Sequence, residues 1–307
     1  MKRIYVEVLG GLIAILCLTS CRGSATDPPA KPSVESRLAA LDLAAKESQR
    51  AGGDFAGFDR NIYPGDERLA ELHAHFAFAG YWLNAPPGEK ETTWQGKRQK
   101  LVDSGFGFLV LANGRQDAEI KKSNLTPEAL GQKDAADAIA AAKREGFPDH
   151  TIVFLDQEDG GRLLPEQSAY FFGWTEAVAG SVYLPGAYLS GMPVPDGTGP
   201  DGKPATITTA QDVRQQIAAR HLHPVVFFVY QDGCPPAPGC TIQLPHIADS
   251  GTMDAMVWQY AQSPQRPELT RSCAKRYAKD GQCYAGVSSD LALDLDVANS
   301  ADPSHGR

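Results

Sequence analysis

Two acidic residues close one strongly apolar stretch of the chain. Asp156 and Glu158 directly follow the run from Ile152 to Leu155. Residues two apart in a strand point to the same face with their Cα atoms about 6.5 to 7 Å apart, so both carboxyl groups can enter one pocket. Neighbouring carboxyl groups cannot both ionise freely, which raises one pKa and supplies an acid beside an anion, as glycoside hydrolysis requires. Capping of the next segment or cation binding is the alternative interpretation of this pair.

Other acidic, amide and aromatic residues follow further apolar stretches. Sugar rings combine apolar faces with hydroxyl groups, so aromatic rings beside carboxylates and amides suit a glycan, although each aromatic residue could equally be a core residue. The candidate pocket residues are Asp59, Tyr81, Trp82, Asn113, Asp156, Glu158, Tyr188, Gln231, Trp258, Gln259, Asp294 and Asp296. The chain has no serine nucleophile elbow and no H-E-x-x-H motif. Helix ends and loop entries explain the histidine pairs, and we expect no metal ion and no cofactor.

Short apolar stretches that alternate with helical patterns predict parallel strands joined by helical crossovers. We predict eight strands, at Phe55–Asp59, Phe76–Leu83, Gly107–Asn113, Thr151–Glu158, Ser181–Ser190, Pro224–Gln231, Met256–Ala261 and Leu291–Val297. We predict helices at Asp66–His75, Gly96–Ser104, Lys133–Glu145, Pro165–Ala179 and Thr208–His221, the last capped by Thr208 or Thr209. The segment Asp196–Lys203 is expected to be an irregular surface loop over the mouth of the sheet.

Eight such units over about 250 residues match a (β/α)8 barrel in size. A doubly wound open sheet is the competing fold, but no glycine-rich phosphate-binding motif follows the first strand. We therefore expect an α/β protein with a (β/α)8 TIM barrel over residues 54–300 that is somewhat irregular in its C-terminal third. In such a barrel the carboxyl ends of the strands carry the active site, so the candidate residues are expected at one rim.

The first 20 residues have the features of a secretory signal peptide. Lys2 and Arg3 precede an apolar run from Val8 to Leu18, which is about half the ~20 residues that a membrane-spanning helix needs. The order Leu18, Thr19, Ser20, Cys21 resembles the bacterial lipobox, in which the cysteine receives lipid; a cleaved peptide with an incidental cysteine is the alternative. Residues 21–33 then predict a flexible tether, and residues 34–53 a short amphipathic helix.

Four further cysteines lie in the last third of the chain. They are Cys234, Cys240, Cys273 and Cys283. An even number in an exported chain favours disulfides, and the short spacings suggest Cys234 with Cys240 and Cys273 with Cys283, although three connectivities are open. A zinc site is the alternative use, but none of the spacings is C-x-x-C.

The overall charge limits the possible partners. With 29 Lys and Arg against 37 Asp and Glu, the net charge is −8, and no long basic stretch is present. Nucleic acid is therefore not an expected partner. A hydrophobic content of 42% over 307 residues is enough for a large core, which excludes a chain disordered throughout.

The order of the motifs resembles that of a family. Residues 57–59, 78–82, 152–158, 186–188, 258–260 and 294–296 are similar, in this order, to the glycoside-hydrolase-like barrel domain, which is exported, bacterial and distantly similar to peptidoglycan muramidases. The resemblance implies Glu158 as general acid, Asp156 as the residue that positions or activates the attacking group, and Asp59 and Asp294 in the same cleft.

The expected function is that of a lipid-anchored glycoside hydrolase acting on a cell-envelope glycan such as peptidoglycan. Its expected location is the cell envelope, attached to the membrane through lipid on Cys21, and its expected state is a monomer. A non-catalytic glycan-binding barrel and an envelope scaffold protein are the alternatives. Acids at several strand ends favour catalysis, because a binding protein needs aromatic and amide groups more than carboxylates.

Overall fold

The computed structural model describes residues 53–231, 244–262, 291 and 293–307. The predicted signal peptide, tether, N-terminal helix and all six cysteines lie outside these residues, so those predictions stay predictions. Within the described part of the chain, no helix is long and apolar enough to span a membrane.

Eight strands form a closed barrel. In chain order the strands are β1 Phe55–Asp59, β2 Phe78–Trp82, β3 Gly107–Asn113, β4 Ile152–Gln157, β5 Leu184–Ser190, β6 Val194–Thr198, β7 Pro204–Ile207, β8 Val226–Tyr230, β9 Ala255–Ala261 and β10 Asp294–Ala298. Around the barrel the order is β1, β10, β9, β8, β5, β4, β3 and β2, while β6 and β7 form a separate antiparallel hairpin. The predicted barrel is confirmed, and each of its eight strands overlaps a predicted strand.

Helices pack around the outside of the barrel. They are α1 Leu69–His73, α2 Arg98–Asp103, α3 Asp117–Lys122, α4 Pro127–Glu145, α5 Pro165–Ala179 and α6 Thr209–Arg220, with 3-10 turns at Asp66–Arg68 and Ile247–Ser250. The hydroxyl of Thr208 accepts a hydrogen bond from the Gln211 N–H, which confirms the predicted cap of α6. Helix α4 begins six residues before the predicted start, because Thr126 caps it and Pro127 suits its first turn.

The last strand runs in the opposite direction to the one expected. Strand β10 is antiparallel to both of its neighbours, β1 and β9, whereas the other neighbouring strands of the barrel are parallel. The alternation of its residues shows which side chains face inward but carries no information on direction. As a result Asp294, at the start of β10, lies opposite Asp59, at the end of β1. The reversed direction therefore places Asp294, from the amino-terminal end of β10, at the rim where the other strands have their carboxyl ends.

The chain after β10 closes the opposite end of the barrel. The Ser304 hydroxyl accepts a hydrogen bond from the Val110 N–H at 2.7 Å, and the Ile152 N–H donates to the Ser304 carbonyl at 2.8 Å. A Cβ atom on Gly107 would lie 2.0 Å from the carbonyl oxygen of Ala301, so this close approach requires glycine. The chain after β10 thus supplies hydrogen-bond partners to backbone groups in the first half of β3 and at the start of β4.

The prediction of an irregular loop at residues 196–203 is correct only in part, because residues 196–198 belong to β6 and residues 199–203 form the turn that joins β6 to β7. Arg162, on the connection between β4 and α5, binds Asp196 of the hairpin through two hydrogen bonds of 2.7 and 2.8 Å. Arg162 also donates to the buried carboxylate of Asp212 on α6 at 3.0 Å. These contacts attach the hairpin to the connection that follows the acidic pair.

Candidate active site

A cavity of about 170 Å³ opens at the rim where the parallel strands end. It is lined by Asp59, Asn61, Trp82, Pro87, Leu111, Asp156, Glu158, Tyr188, Phe228, Gln259, Gln262 and Asp294. Seven of the predicted pocket residues are thus brought together from six strands or strand ends. The barrel closure does this, because residues between 59 and 294 in the sequence meet only at its rim.

Strand alternation determines which side chains reach this cavity. Asp156 lies in register between Asn113 of β3 and Tyr188 of β5 and is 7% exposed. Glu158 follows β4 on the same side and is exposed at the rim. Gln157, between them, faces away and donates a hydrogen bond to Asp159 at 2.9 Å. The D-x-E spacing therefore places both carboxyl groups on the same side of β4, as predicted, and the structure adds that one is buried and the other exposed.

A hydrogen-bonded chain crosses the barrel interior. The Tyr188 hydroxyl donates to Gln259 Oε1 at 2.7 Å, and Gln259 Nε2 donates to Asp59 Oδ2 at 2.8 Å. The three residues come from β5, β9 and β1, so the chain links distant parts of the barrel wall. At Gly80 of β2 a Cβ atom would lie 2.4 Å from the Cβ atom of Asp59, so glycine there leaves room for this carboxylate.

The cavity contains several carboxyl groups and no basic side chain among its described lining residues. Burial is the main cause of the raised pKa of Asp59, which is about 6; the hydrogen bond from Gln259 opposes this rise, and the charge of Glu158 adds to it. Burial raises the pKa of Asp156 well above its usual range, with further contributions from Glu158, Asp59 and Asp294. Partial burial of its carboxyl group, then the charge of Asp159, raises the pKa of Glu158. Each of these carboxyl groups therefore keeps its proton to a higher pH than an exposed carboxyl group does.

Tyr81 and Trp258, predicted to bind substrate, point outward from the barrel, so this placement corrects the prediction. The Tyr81 hydroxyl donates to Glu145 of α4 at 2.5 Å. Trp258 Nε1 donates to the backbone oxygen of Gln231 at 2.7 Å, and its ring packs against Tyr260. Consecutive residues of a strand face opposite sides, so Trp82 and Gln259 reach the cavity while their neighbours cannot.

Two further predicted residues, Gln231 and Asp296, do not line the cavity. The side-chain amide of Gln231 lies beside Gly251 and is not part of the cavity lining. Asp296 lies beneath the cavity, in register with Gly57 and Gln259, and is fully buried. Burial raises the pKa of Asp296 well above its usual range, and Asp59 and Asp294 raise it further. Strand alternation predicts that Asp296 faces inward, but it does not indicate its depth.

Asn61 and Phe228 line the cavity but were not predicted as site residues. Asn61 follows Asp59 by two residues, so the alternation that selects Asp59 could have indicated it. Its Nδ2 donates to the carbonyl of Pro87 at 2.9 Å. Phe228 lies within an apolar strand, where the sequence has no signal that separates a cavity wall from core. Its ring packs against Tyr188, with the ring centroids 4.5 Å apart.

No group of three or more histidine, cysteine, aspartate or glutamate residues in the described part of the chain could hold a metal ion. The four C-terminal cysteines lie outside this part, so the choice between disulfides and zinc stays a prediction.

The comparison with family models finds one match. Residues 78–195, from β2 to the start of β6, match the Rv2525c-like, glycoside hydrolase-like domain. This match confirms the resemblance that the order of motifs predicted. Asp156, Glu158 and Tyr188 lie within the matched residues, whereas Asp59, Gln259 and Asp294 lie outside them. No curated protein matches the chain.

Solved structures are similar to this chain at low sequence identity. An uncharacterized protein of B. stearothermophilus is 18% identical with a TM-score of 0.50, and the match covers 80% of this chain and 95% of that one. The Tat-secreted protein Rv2525c of Mycobacterium tuberculosis is 12% identical with a TM-score of 0.45, over 83% of this chain and 98% of that one. The spore cortex lytic enzyme SleM of Clostridium perfringens is 12% identical with a TM-score of 0.45, over 80% and 68%.

Proposed function

We propose that this chain, whose residues 78–195 match a glycoside hydrolase-like domain, is a glycoside hydrolase that acts on a cell-envelope glycan such as peptidoglycan. The observation that carries the proposal is the set of four carboxyl groups, Asp59, Asp156, Glu158 and Asp294, around one small cavity without a basic side chain in its described lining. A glycosidic bond needs a proton donor and negative charge close together. A site that only binds a neutral glycan gains nothing from several carboxyl groups that would offset the cost of burying them.

Glu158 is the general acid in this proposal. Its position at the exposed rim leaves room for the leaving group of a polymeric substrate, whereas Asp156 is enclosed. Its raised pKa keeps a larger fraction of the carboxyl group protonated near neutral pH, which is what proton donation to the glycosidic oxygen requires.

Asp156 positions or activates the group that attacks the anomeric carbon. Asp156 lines the cavity, and its Oδ1 has no hydrogen-bond partner among the described residues, which supports a bond to a group of the substrate. Asp59 and Asp294 lie opposite each other on β1 and β10 and supply negative charge toward the positive charge that develops on the sugar. The Trp82 and Tyr188 side chains provide ring surface in the same cavity.

The test compares wild type with Glu158→Gln on purified peptidoglycan and a panel of bacterial glycans, with products read by mass spectrometry. Glutamine keeps the shape and hydrogen-bonding capacity but not the transferable proton, so turnover is expected to fall about 100-fold or more while the fold is retained. Glu91→Gln, at an exposed position outside the cavity, is the matched control and is expected to match wild type.

Equal cleavage by wild type and Glu158→Gln would remove Glu158 from the mechanism. Binding of glycan without cleavage of any substrate by wild type would favour the alternative of a non-catalytic glycan-binding barrel. Circular dichroism spectra establish that the variants are folded in either case.

We also propose that the mature chain is exported, that lipid on Cys21 holds it in the cell envelope, and that it acts as a monomer. The order of residues at the end of the apolar run supports the first two statements. A lipid anchor would keep the barrel close to the glycan that it cleaves.

A further inference from the structure

Asp159, the residue that follows Glu158, has a carboxyl group that two buried side-chain amides hold in place. Its Oδ2 atom accepts a hydrogen bond from Gln157 Nε2 at 2.9 Å and another from Gln167 Nε2, in the first turn of α5. Both glutamine side chains are buried, so packing fixes the two groups that hold this carboxylate.

Asp159 is also attached to the starts of two helices. The Gln167 side chain that binds it accepts, through Oε1, a hydrogen bond from the Leu164 N–H at 2.9 Å, where α5 begins. At the start of α6, the buried Thr209 hydroxyl donates to the backbone carbonyl of Asp159 at 2.9 Å. The backbone directly after Glu158 is therefore connected to both helices.

The bond between Gln157 and Asp159 spans Glu158. Gln157 is the last residue of β4, whereas Glu158 and Asp159 lie beyond the strand. The bridge continues the order of the strand past Glu158, which lines both the small cavity and an adjoining groove of about 1050 Å³. The backbone that carries the proposed proton donor is thus fixed where these two spaces meet.

The carboxylate of Asp159 also carries charge close to Glu158. Burial, and then the charge of Asp159, raises the pKa of Glu158. The partners of Asp159 in the described part of the chain are neutral amides and a hydroxyl group. These groups hold the carboxylate without compensating its negative charge.

Titratable groups from four strands face Glu158 across the small cavity. They are Asp59, Asp156, Tyr188 and Asp294. Burial and the charge of Glu158 raise the pKa of Asp59 and of Asp156, and burial raises the pKa of Tyr188 well above its usual range. These three groups keep their protons to higher pH than exposed groups do, and a protonated group exerts little repulsion on Glu158.

Charged groups also line the groove side of Glu158. Besides the residues that follow β4, they are Glu89, Arg115, Glu119, Asp134, Asp137 and Arg144. Four of them form ion pairs: Arg115 with Asp134 at 2.7 Å, Asp137 with Lys133 at 2.7 Å, and Arg144 with Glu145 at 3.9 Å. Asp159 differs from these four because its described partners are uncharged and it is adjacent to Glu158 in the chain.

We infer that Asp159 is a positioning residue that acts through Glu158, because its amide-held carboxylate fixes the backbone beside the proposed proton donor and keeps an uncompensated negative charge there. The inference rests on the proposed function, in which Glu158 protonates the glycosidic oxygen. A negative charge beside a carboxyl group favours the protonated form of that group. Asp159 therefore extends to higher pH the range in which Glu158 can donate a proton.

The first test measures the pKa of the Glu158 carboxyl group by NMR titration of isotope-labelled glutamate side chains, so it needs no substrate. The Glu158 signal is assigned by its loss in Glu158→Gln. Asp159→Asn keeps an oxygen that can accept from both amides and removes the charge, so the pKa of Glu158 is expected to be lower than in wild type. Asp159→Glu keeps the charge, and the pKa of Glu158 is expected to stay near its wild-type value.

Glu166→Gln is the matched control. It removes a negative charge from the same turn of α5 that contains Gln167, at a position that lines neither the cavity nor the groove. The pKa of Glu158 is expected to match that of wild type in this variant. Circular dichroism spectra establish that each variant is folded.

The pH profile of glycan cleavage separates a charge effect from a structural one. At acidic pH Glu158 is protonated with or without the charge of Asp159, so wild type and Asp159→Asn are expected to have similar turnover. On the alkaline side of the profile, Asp159→Asn is expected to be about threefold slower than wild type. A purely structural role would lower turnover by the same factor at every pH, and that result would contradict the inference.

Wild type supplies a test that depends on no variant. Raising the salt concentration from about 0.02 M to about 0.5 M screens charges near the protein surface, so the pKa of Glu158 is expected to fall. A pKa that does not respond to salt would contradict repulsion from Asp159.

An unchanged pKa of Glu158 in folded Asp159→Asn would overturn the inference. The hydrolase proposal is tested separately by digestion. If wild type cleaves glycans and the pKa of Glu158 is the same in Asp159→Asn, the hydrolase proposal stands and the role of Asp159 fails. If the pKa falls in Asp159→Asn and wild type cleaves no glycan, the effect of Asp159 on Glu158 stands and the hydrolase proposal fails.

Discussion

The buried carboxyl group of Asp59 predicts a specific dependence of stability on pH. Burial in the barrel mouth, without a basic side chain in the described lining of the cavity, raises the pKa of Asp59 from 3.8 to about 6. Between these two values the folded protein binds more protons at this site than the unfolded chain, so the free energy of unfolding falls as the pH rises. The free-energy cost of ionising the buried Asp59 is absent below the pKa of the unfolded chain and fully present above about pH 6.

The size of this cost follows from the two pKa values. At 1.36 kcal/mol for each pKa unit, the difference between 3.8 and about 6 corresponds to about 3 kcal/mol above pH 7. At pH 4.5 the same linkage gives about 1 kcal/mol, because the unfolded chain is then already mostly ionised and the folded site is not. Ionisation of Asp59 therefore accounts for a loss of about 2 kcal/mol between pH 4.5 and pH 7.5.

Asp59→Asn removes this ionisation but keeps an oxygen that can accept the hydrogen bond from Gln259. Relative to wild type, the free energy of unfolding of the variant is expected to increase by about 2 kcal/mol between pH 4.5 and pH 7.5. Urea denaturation followed by tryptophan fluorescence measures both proteins at each pH. Asp103→Asn, at an exposed position on α2, controls for the removal of one charge. A wild-type minus variant difference that is constant with pH would refute the reasoning.

Three further predictions concern other parts of the chain. Tyr81→Phe is expected to lower the free energy of unfolding by about 1 kcal/mol, because it removes the hydrogen bond to Glu145, and to leave glycan cleavage unchanged. A large loss of cleavage in the folded variant would contradict the outward orientation of Tyr81. Gln259→Met removes a hydrogen bond that lowers the pKa of Asp59, so an NMR titration should show this pKa above about 6. A lower pKa would contradict the effect assigned to the hydrogen bond from Gln259. Cys21→Ala should yield an exported protein that no longer partitions with membranes, because lipid supplies about 0.8 kcal/mol per buried methylene; recovery of the variant in the detergent phase would refute the lipid anchor.

Local patterns were sufficient to predict much of the fold. Apolar runs ending in acids located β1 and β4, and the alternation with helical segments gave the barrel class. Asp59, Asp156, Glu158 and Gln259 were found because the carboxyl ends of parallel strands share one rim. The sequence could also indicate that Asp156 and Glu158 share a face, since the two-residue period of a strand is a local property.

Strand alternation indicates that only one residue of Tyr81 and Trp82, and only one of Trp258 and Gln259, faces inward. Which residue of each pair does so, the direction of β10 and the depth of Asp296 could not be predicted. Each depends on how a strand pairs with its neighbours, and pairing is not encoded by the residues of one strand. Asp294 lies at the site because of the direction of β10, which the sequence did not indicate. It begins an antiparallel strand, whereas the prediction assumed that acids follow parallel ones.

The sequence by itself determined which residues alternate, where apolar strands end, and that an acidic pair shares one side of β4. Only the tertiary structure decided which acids meet, because barrel closure brings residues 59, 156 and 294 into one cavity and excludes basic side chains from its described lining. It also decided their protonation, since burial and the charges of the other acids raise the pKa of Asp59 and Asp156 together. Desolvation and charge repulsion depend on distances through space, which a linear sequence does not specify.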